Sequence, residues 1–189
     1  MQMQDLAESE EPGGGLRIGP FDPRDAASFA AAARESVRNM APWMPWCHAE
    51  YGIAEAAAWI DLCAAKVRED FSYDLGIYDV GRENLLGGVS INQINSMNKA
   101  GNIGYWVRES RRGKAIAARA VRLIAAFGFT QLRLNRLEIV VATGNHPSLA
   151  TARRAGAVFE GVARQRLLLH GVAHDAAIHS LLATDLKEK

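Results

Sequence analysis

The spacing of apolar residues predicts an alternation of helices and strands along the chain. Apolar residues recur at helical spacing in residues 25–40, 53–71 and 113–130. Shorter runs with alternating or continuous apolar residues are typical of strands. The predicted strands are residues 16–21, 73–80, 85–94, 101–107, 137–142, 158–169 and 176–184, with a short helix at 147–154. The order is therefore strand, two helices, three strands, helix, strand, helix and two strands.

Length and composition predict one domain. With 189 residues, of which 49% are hydrophobic, the chain can bury one substantial core, which we assign to residues 16–189. Residues 1–15 are acidic and glycine-rich, and we expect them to be a disordered leader. No apolar run reaches the roughly 18 residues that cross a bilayer, and the first residues do not resemble a secretory signal. We therefore expect a cytoplasmic protein with no membrane partner.

The charge balance limits the possible partners. Lysine and arginine number 22 against 21 aspartate and glutamate residues, and the sequence pI is near 7.8, so a nucleic-acid partner is not expected. The chain has two cysteines and no CxxC pair. Cys47, His48 and Glu50 match no metal-binding spacing, so we expect no metal site.

A basic turn of small residues lies between the strand at 101–107 and the helix that follows it. It reads Arg111-Arg112-Gly113-Lys114-Ala115-Ile116-Ala117. Small residues let the backbone approach a ligand closely, and the first turn of a helix leaves N–H groups without partners. Such groups beside cations bind anions, so the turn predicts a phosphate site. The alternative is an ordinary basic helix start.

Several motifs of the chain occur together in one known family. They are Trp43-Met44-Pro45-Trp46, Gly104-Tyr105-Trp106-Val107, the basic turn, and Asn145-His146-Pro147-Ser148 with the following 155–161. With the order of elements, they make the chain after Gly15 resemble the GCN5-related N-acetyltransferase (GNAT) superfamily, in the RimJ/RimL-like branch that acetylates protein N-terminal amines. The resemblance implies an α/β (α+β) fold with a central mixed, mostly antiparallel twisted sheet flanked by helices.

The resemblance also implies acetyl-CoA as the cofactor, with CoA as the product. The family turn consists of Gln or Arg, two residues, Gly, one residue, and Gly or Ala, and it wraps the pyrophosphate. Ala115 stands here in place of the usual glycine; we expect helical dihedrals to tolerate its methyl group, which narrows the space for a phosphate oxygen. The implied cofactor-binding residues are Val107, Arg112, Gly113, Lys114, Ala115, Ile116, Ala117, Asn145 and Ser148.

Catalytic roles follow from the same resemblance. The backbone N–H of Val107 would face the thioester oxygen. Ser148 would present its hydroxyl toward the sulfur, although it could equally help the helix start, and Asn145 would cap that helix or hold the pantetheine arm. The family base position falls near Leu167, which carries no carboxylate. Glu160 is therefore the candidate base, with Asp175 or bulk water as alternatives.

The acceptor is expected between the aromatic loop at 41–46 and the following strands. Trp43 and Trp46 would form flat apolar walls, or simply pack, and Asn92 and Asn95 would pair with a peptide backbone. The predicted function is acetyl transfer to a primary amine, most readily a protein N-terminus, by direct attack in a ternary complex. The alternatives are acetylation of a polyamine or antibiotic, and a catalytically silent CoA-binding module. The resemblance also implies a homodimer.

Overall fold

The computed structural model describes residues 9–10 and 15–186. Within these residues, four α-helices surround one eight-stranded sheet. The helices are α1 (Ala26–Met40), α2 (Ile53–Arg68), α3 (Ile116–Thr130) and α4 (His146–Arg154). The strands are β1 (Ser9–Glu10), β2 (Arg17–Gly19), β3 (Tyr73–Tyr78), β4 (Leu85–Asn95), β5 (Ala100–Val107), β6 (Arg136–Ala142), β7 (Val158–Leu169) and β8 (Val172–Leu181).

The predicted order of elements is confirmed from β2 onward, where the differences lie at element ends. Helix α3 begins at Ile116 instead of residue 113, because Gly113 and Ala115 have φ of 78° and 57°, outside the helical region. Strand β8 begins at Val172 instead of residue 176, since β7 and β8 form a long hairpin. Within the predicted leader, residues 9–10 form β1, while residues 1–8 and 11–14 lie outside the described residues, so the leader otherwise stays a prediction.

The sheet has the order β1-β2-β3-β4-β5-β6-β8-β7. All neighbouring strands are antiparallel except β5 and β6, which run parallel. The pairing of β5 with β6 covers Ala100 to Asn102 against Arg136 to Glu138 and stops there. Because both strands continue beyond these residues, they separate toward their C-terminal ends. A wedge-shaped opening therefore lies in the middle of the sheet.

Helices cover both faces of the sheet. Helix α3 buries Val121 and Ile124 against the face that carries Leu75, Val89 and Ile103. Side chains of a strand alternate between faces, and the opposite face packs under α1 and α2, where Phe29 and Ile60 meet Tyr78. Gly128 allows α3 to lie close to the sheet, since a Cβ there would come within 2.8 Å of Ile91 Cδ1. The predicted mixed, mostly antiparallel α/β fold is confirmed. In the described residues, none of the helices is long and apolar enough to cross a membrane.

Candidate active site

A cavity of about 610 Å³ opens at the wedge between β5 and β6. Its walls come from the end of α1, the end of β5, the turn before α3, and α4. The lining residues include Asn39, Met40, Trp43, Met44, Tyr105, Trp106, Val107, Arg111, Arg112, Gly113, Ala115, Ile116, Ala117, Ala118, Asn145, Ser148, Thr151 and Arg154. The predicted anion turn, the strand end and the Asn145 helix thus meet in one place.

The turn before α3 presents a row of N–H groups to this cavity. The first hydrogen bond of the helix runs from Arg119 N to Ala115 O at 3.1 Å, so the N–H groups of Ile116, Ala117 and Ala118 precede the helical ladder. Ala115 is left-handed (φ 57°, ψ 13°) and the next residue is helical, a combination that curves successive N–H groups around an anion. The cradle fits a diphosphate. The expectation that Ala115 has helical dihedrals is wrong.

Cations surround the cradle, although not all of those predicted. Arg111 and Arg112 line the cavity, and Arg112 Nη1 lies 3.1 Å from Glu109 Oε2. Lys114 is exposed and does not line the cavity, because it lies between two left-handed residues on the outside of the turn. Arg154, at the end of α4, lines the cavity in its place. No local sequence signal marks Arg154, since α4 brings it to the site through the tertiary fold.

Helix α1 holds the turn from behind. Arg108 Nε and Nη2 donate to Glu35 Oε1 and Oε2 at 2.9 and 2.8 Å, and Ser110 N and Oγ also donate to Glu35 Oε1. The hydrogen bonds from Arg108 lower the pKa of Glu35 to about 2. Glu109 is held by Asn39, whose Nδ2 donates to Glu109 Oε2 at 2.6 Å. The position of the anion turn is therefore set by the second half of α1.

The backbone N–H of Val107 points toward the wedge. Arg108 N donates to Leu86 O on β4 at 2.9 Å, and successive N–H groups of a strand point in opposite directions. The N–H of Val107 consequently points away from β4, toward the side where β6 no longer pairs with β5. This direction matches the role predicted for Val107.

Ser148 and Asn145 lie at the start of α4, beside Tyr105. Asn145 Oδ1 accepts from Ser148 N at 3.3 Å and caps the helix. The Tyr105 hydroxyl lies 2.8 Å from Ser148 Oγ and 3.0 Å from Ser148 O, so its one proton can be donated to either oxygen. Burial raises the pKa of Tyr105 to about 12, so this phenol stays protonated at neutral pH. Sequence reasoning missed Tyr105, which lies 43 residues before its partner along the chain.

A second cavity of about 320 Å³ lies on the opposite face of the sheet, under α1 and α2. Its walls are largely aromatic: Trp46 and Trp106 have ring centroids 5.8 Å apart, and Phe29 lies 5.1 Å from Trp106. The lining residues are Phe21, Phe29, Met44, Trp46, Tyr51, Trp59, Asp74, Leu75, Gly88, Val89, Ser90, Asn92, Gly104, Tyr105 and Trp106. Met44, Tyr105 and Trp106 line both cavities, so the two spaces meet beside the end of β5.

The predicted acceptor residues divide between the two cavities. Trp46 and Asn92 line the second cavity, whereas Trp43 lines the first. Asn95 lines neither, because it lies at the end of β4 and its Oδ1 accepts from Asn98 N at 2.9 Å in the following turn. The sequence analysis groups these four side chains in one site. Spacing along the chain does not show which of them enters which cavity, so their division could not be predicted.

The two acidic candidates for the base lie outside both cavities. Glu160 on β7 accepts from Arg136 Nη1 at 2.7 Å and from Ser180 Oγ at 2.8 Å, and the Arg136 guanidinium lowers the pKa of Glu160 to about 2. Asp175 Oδ1 accepts from Gln165 N at 2.8 Å within the β7–β8 hairpin. Glu160 is therefore not placed to act as the base, and it forms a surface ion pair with Arg136 instead. The carboxylate that lines the second cavity belongs to Asp74.

Neither cavity contains a metal-binding set. Throughout the described residues, no three His, Cys, Asp or Glu side chains are grouped so that they could hold a metal ion. Cys47 and Cys63 are buried free thiols, and neither lines the two cavities. The chemistry that this site offers rests on backbone N–H groups, hydroxyls, amides and cations.

Comparison with known proteins assigns the family. Residues 16–158 match the family model described as an acetyltransferase (GNAT) domain. YdaF of Bacillus subtilis (strain 168), provisionally named a ribosomal N-acetyltransferase, is 29% identical over 170 residues, which cover 88% of this chain and 91% of YdaF. The ribosomal-protein-serine acetyltransferase of Escherichia coli (strain K12) is 30% identical over 98 residues, covering 52% of this chain and 55% of that protein.

A solved structure supports the fold. Mycobacterium smegmatis RimJ in complex with CoA-disulfide has a TM-score of 0.84, with 24% identity, over 97% of this chain and 89% of that chain. The wedge, the anion cradle and the family match together confirm the predicted acetyl-CoA-dependent N-acetyltransferase activity. The chain belongs to the GNAT acetyltransferase family.

Proposed function

We propose that this chain transfers the acetyl group of acetyl-CoA to the α-amine of a protein N-terminus by direct attack in a ternary complex. The observation that carries the proposal is the junction of two cavities at Met44, Tyr105 and Trp106. One cavity has an anion cradle and the other has aromatic walls, so cofactor and acceptor can be bound together. Because no cysteine lines either cavity, the geometry favours direct transfer over a thiol-linked route.

The residues that would hold acetyl-CoA follow from the first cavity. The N–H groups of Ile116, Ala117 and Ala118 would bind the diphosphate, with Arg111 and Arg154 beside the phosphates. When bound, acetyl-CoA supplies an acetyl group activated as a thioester. This arrangement assigns the phosphates to the α3 side of the cavity.

Val107 and Ser148 would act on the two ends of the thioester. The N–H of Val107 would stabilise negative charge that develops on the carbonyl oxygen. Ser148 would donate a hydrogen bond to the departing sulfur. A thiol, with a reference pKa near 8.5, is a far stronger acid than an aliphatic hydroxyl, so this hydrogen bond suffices without loss of the serine proton. Tyr105 would orient the Ser148 hydroxyl by donating its proton to Ser148 Oγ across their 2.8 Å contact, which leaves the serine proton free for the sulfur.

The acceptor amine needs little help to lose its proton. An N-terminal α-amine has a reference pKa of about 7.7 to 8.0, so a substantial fraction is neutral near pH 7.5. With Glu160 outside the site, we propose that water in the cavity carries the proton away. The rate is then expected to rise with pH as the α-amine of the acceptor loses its proton.

Two observations bear on the identity of the acceptor and on the cellular location of the protein. The relatives YdaF and the E. coli enzyme carry ribosomal names, which supports a protein N-terminus and, with it, a cytoplasmic location. The size of the acceptor cavity, about 320 Å³, favours a second candidate, a small-molecule amine. The homodimer and the lack of a nucleic-acid partner stay predictions.

The proposal is tested by thiol release from acetyl-CoA with N-terminal peptides and small amines as acceptors. Mass spectrometry then locates the acetyl group. We expect α-amine acetylation of peptides, a fall of about tenfold or more in kcat for Ser148→Ala, and no change for Ser96→Ala, which removes an exposed hydroxyl. If only small amines are acetylated, the second candidate, a small-molecule acceptor, replaces the protein N-terminus. If no amine is acetylated, both candidates are refuted.

A further inference from the structure

The acceptor cavity contains a carboxylate that the transfer chemistry does not use. Asp74 lies on β3 directly opposite Ser90 on β4, which in turn lies opposite Gly104 on β5. These three positions form one row across the sheet, on the face that the acceptor cavity covers. Tyr105, which lies at the junction with the cofactor cavity, directly follows Gly104 along the chain.

The two oxygens of Asp74 have different surroundings. Oδ2 accepts from Ser72 Oγ at 2.6 Å and lies 3.9 Å from Lys66 Nζ. Oδ1 accepts no hydrogen bond from any of the residues that the structure describes, although only 15% of the side chain is exposed. A partly buried carboxylate oxygen in this position gains free energy from a donor. Among the described residues, Asp74 is also the one acidic residue that lines this cavity.

The remaining walls favour an apolar stem rather than a polar chain. Trp46, Trp106 and Phe29 line the same cavity as Asp74 and form a continuous set of aromatic rings. Aromatic faces accommodate methylene groups, and they also attract cations. An acceptor that reaches Asp74 therefore passes its stem along these rings and ends in a donor.

The distance across the sheet sets the length of that stem. Adjacent strands lie about 4.8 Å apart, so Asp74 is about 10 Å across the sheet from Gly104 on β5, which directly precedes Tyr105 at the junction where the reacting amine would lie. A lysine residue spans about 7 Å from its α-nitrogen to its ζ-nitrogen when extended, and a hydrogen bond adds about 3 Å. The two lengths together match the separation.

We infer that Asp74 selects acceptors in which the reacting amine is followed, across an apolar stem, by a second cationic group about 7 Å away. This inference deepens the proposed function and rests on it. An N-terminal lysine residue has this chemistry, and so does the free diamine 1,5-diaminopentane, in which the nitrogens have the same number of bonds between them. Near pH 8 the α-amine of the lysine residue reacts, because its pKa lies well below that of the ζ-amine.

The test compares peptides that differ only in the first residue, lysine or norleucine, whose stem lacks the ammonium group. The second pair is 1,5-diaminopentane against hexylamine. For the unaltered protein we expect kcat/KM to be about tenfold higher for the dicationic member of each pair. Asp74→Asn should remove this preference through KM and leave the monocationic acceptors unchanged. Asp61→Asn, an exposed carboxylate of α2, is the matched control.

Thermal unfolding and CoA affinity separate recognition from a structural role. The inference is supported if Asp74→Asn changes the acceptor ratio while both of these stay unchanged. It is overturned if the unaltered protein shows no preference within either pair, or if Asp74→Asn lowers the rates for both members by the same factor. Turnover of the diamine but of no peptide, with the Asp74 dependence retained, would refute the N-terminal acceptor and leave this inference standing.

Discussion

Ala115 offers a test of the anion cradle, because its left-handed backbone is unfavourable for an L-residue. A non-glycine residue in this region costs about 1 to 2 kcal/mol. Glycine removes this cost but adds about 0.5 to 1 kcal/mol of conformational entropy to the unfolded chain. For Ala115→Gly we therefore expect the free energy of unfolding to rise by about 0.5 to 1 kcal/mol, which corresponds to roughly 1 to 4 °C in Tm.

The same change should improve cofactor binding. Ala115 lies at the curve from which the N–H groups of Ile116 and Ala117 project, so loss of its methyl group lets an anion approach them more closely. Each hydrogen bond contributes about 0.5 to 1.5 kcal/mol net, and partial improvement of one predicts a Kd for CoA about twofold to threefold lower. Calorimetric titration with CoA and thermal unfolding without it measure the two effects separately.

Ala117→Gly is the matched control, because Ala117 lies two residues later in the helical region. Glycine there should destabilise α3 by about 0.5 to 1 kcal/mol, opposite in sign to the change at Ala115. If both variants lower Tm, Ala115 is not left-handed in the folded protein, and the argument for the curved row of N–H groups fails.

Three further predictions concern Tyr105, Glu35 and His179. Tyr105→Phe removes the hydroxyl bound to Ser148, so kcat should fall about tenfold while the Kd for CoA stays within about twofold. An unchanged kcat in steady-state assays would refute the orienting role of Tyr105. Arg108 lowers the folded-state pKa of Glu35 to about 2, so the contribution of Glu35 to stability is present above pH 4.5 and is lost as pH falls toward 2. In unfolding titrations, Glu35→Gln should therefore show a weaker loss of stability in acid. The same variant should lower the affinity for CoA, because the turn is held less firmly. Burial, and to a smaller extent the charge of Arg153, lowers the pKa of His179, so the free energy of unfolding should decline as pH falls below 6.5. If His179→Asn shows an equal decline, His179 is not the group responsible.

Much of the fold follows from local pattern. Helical spacing locates α1 to within a residue or two, and alternating or continuous apolar runs locate β3, β4 and β5. The start of α3 could not be predicted in the same way, because alanine rarely adopts the left-handed conformation that Ala115 has here. The two-residue β1 depends on pairing with β2, which leaves no periodic signal in so short a segment.

The site was predictable where function resides in the backbone and less so where it depends on distant side chains. The cradle at 115–117 follows from the placement of a turn before a helix, whereas the role of the Val107 N–H follows from the family resemblance. Arg154 and Asp74 reach their cavities through tertiary contacts that neighbouring residues do not encode. Glu160 was selected as the nearest acid along the sequence, whereas the β7–β8 hairpin turns it toward Arg136.

Helix α1 connects the two cavities and thereby couples binding of the cofactor to binding of the acceptor. Its second half holds the anion turn through Glu35 and Asn39, and the chain continues directly into the loop that carries Met44 and Trp46. An anion that stabilises the turn also stabilises the end of α1, and thereby the aromatic wall of the acceptor cavity. Since such coupling is reciprocal for binding free energies, a bound acceptor should lower the Kd for CoA by the same factor by which CoA lowers the Kd for the acceptor.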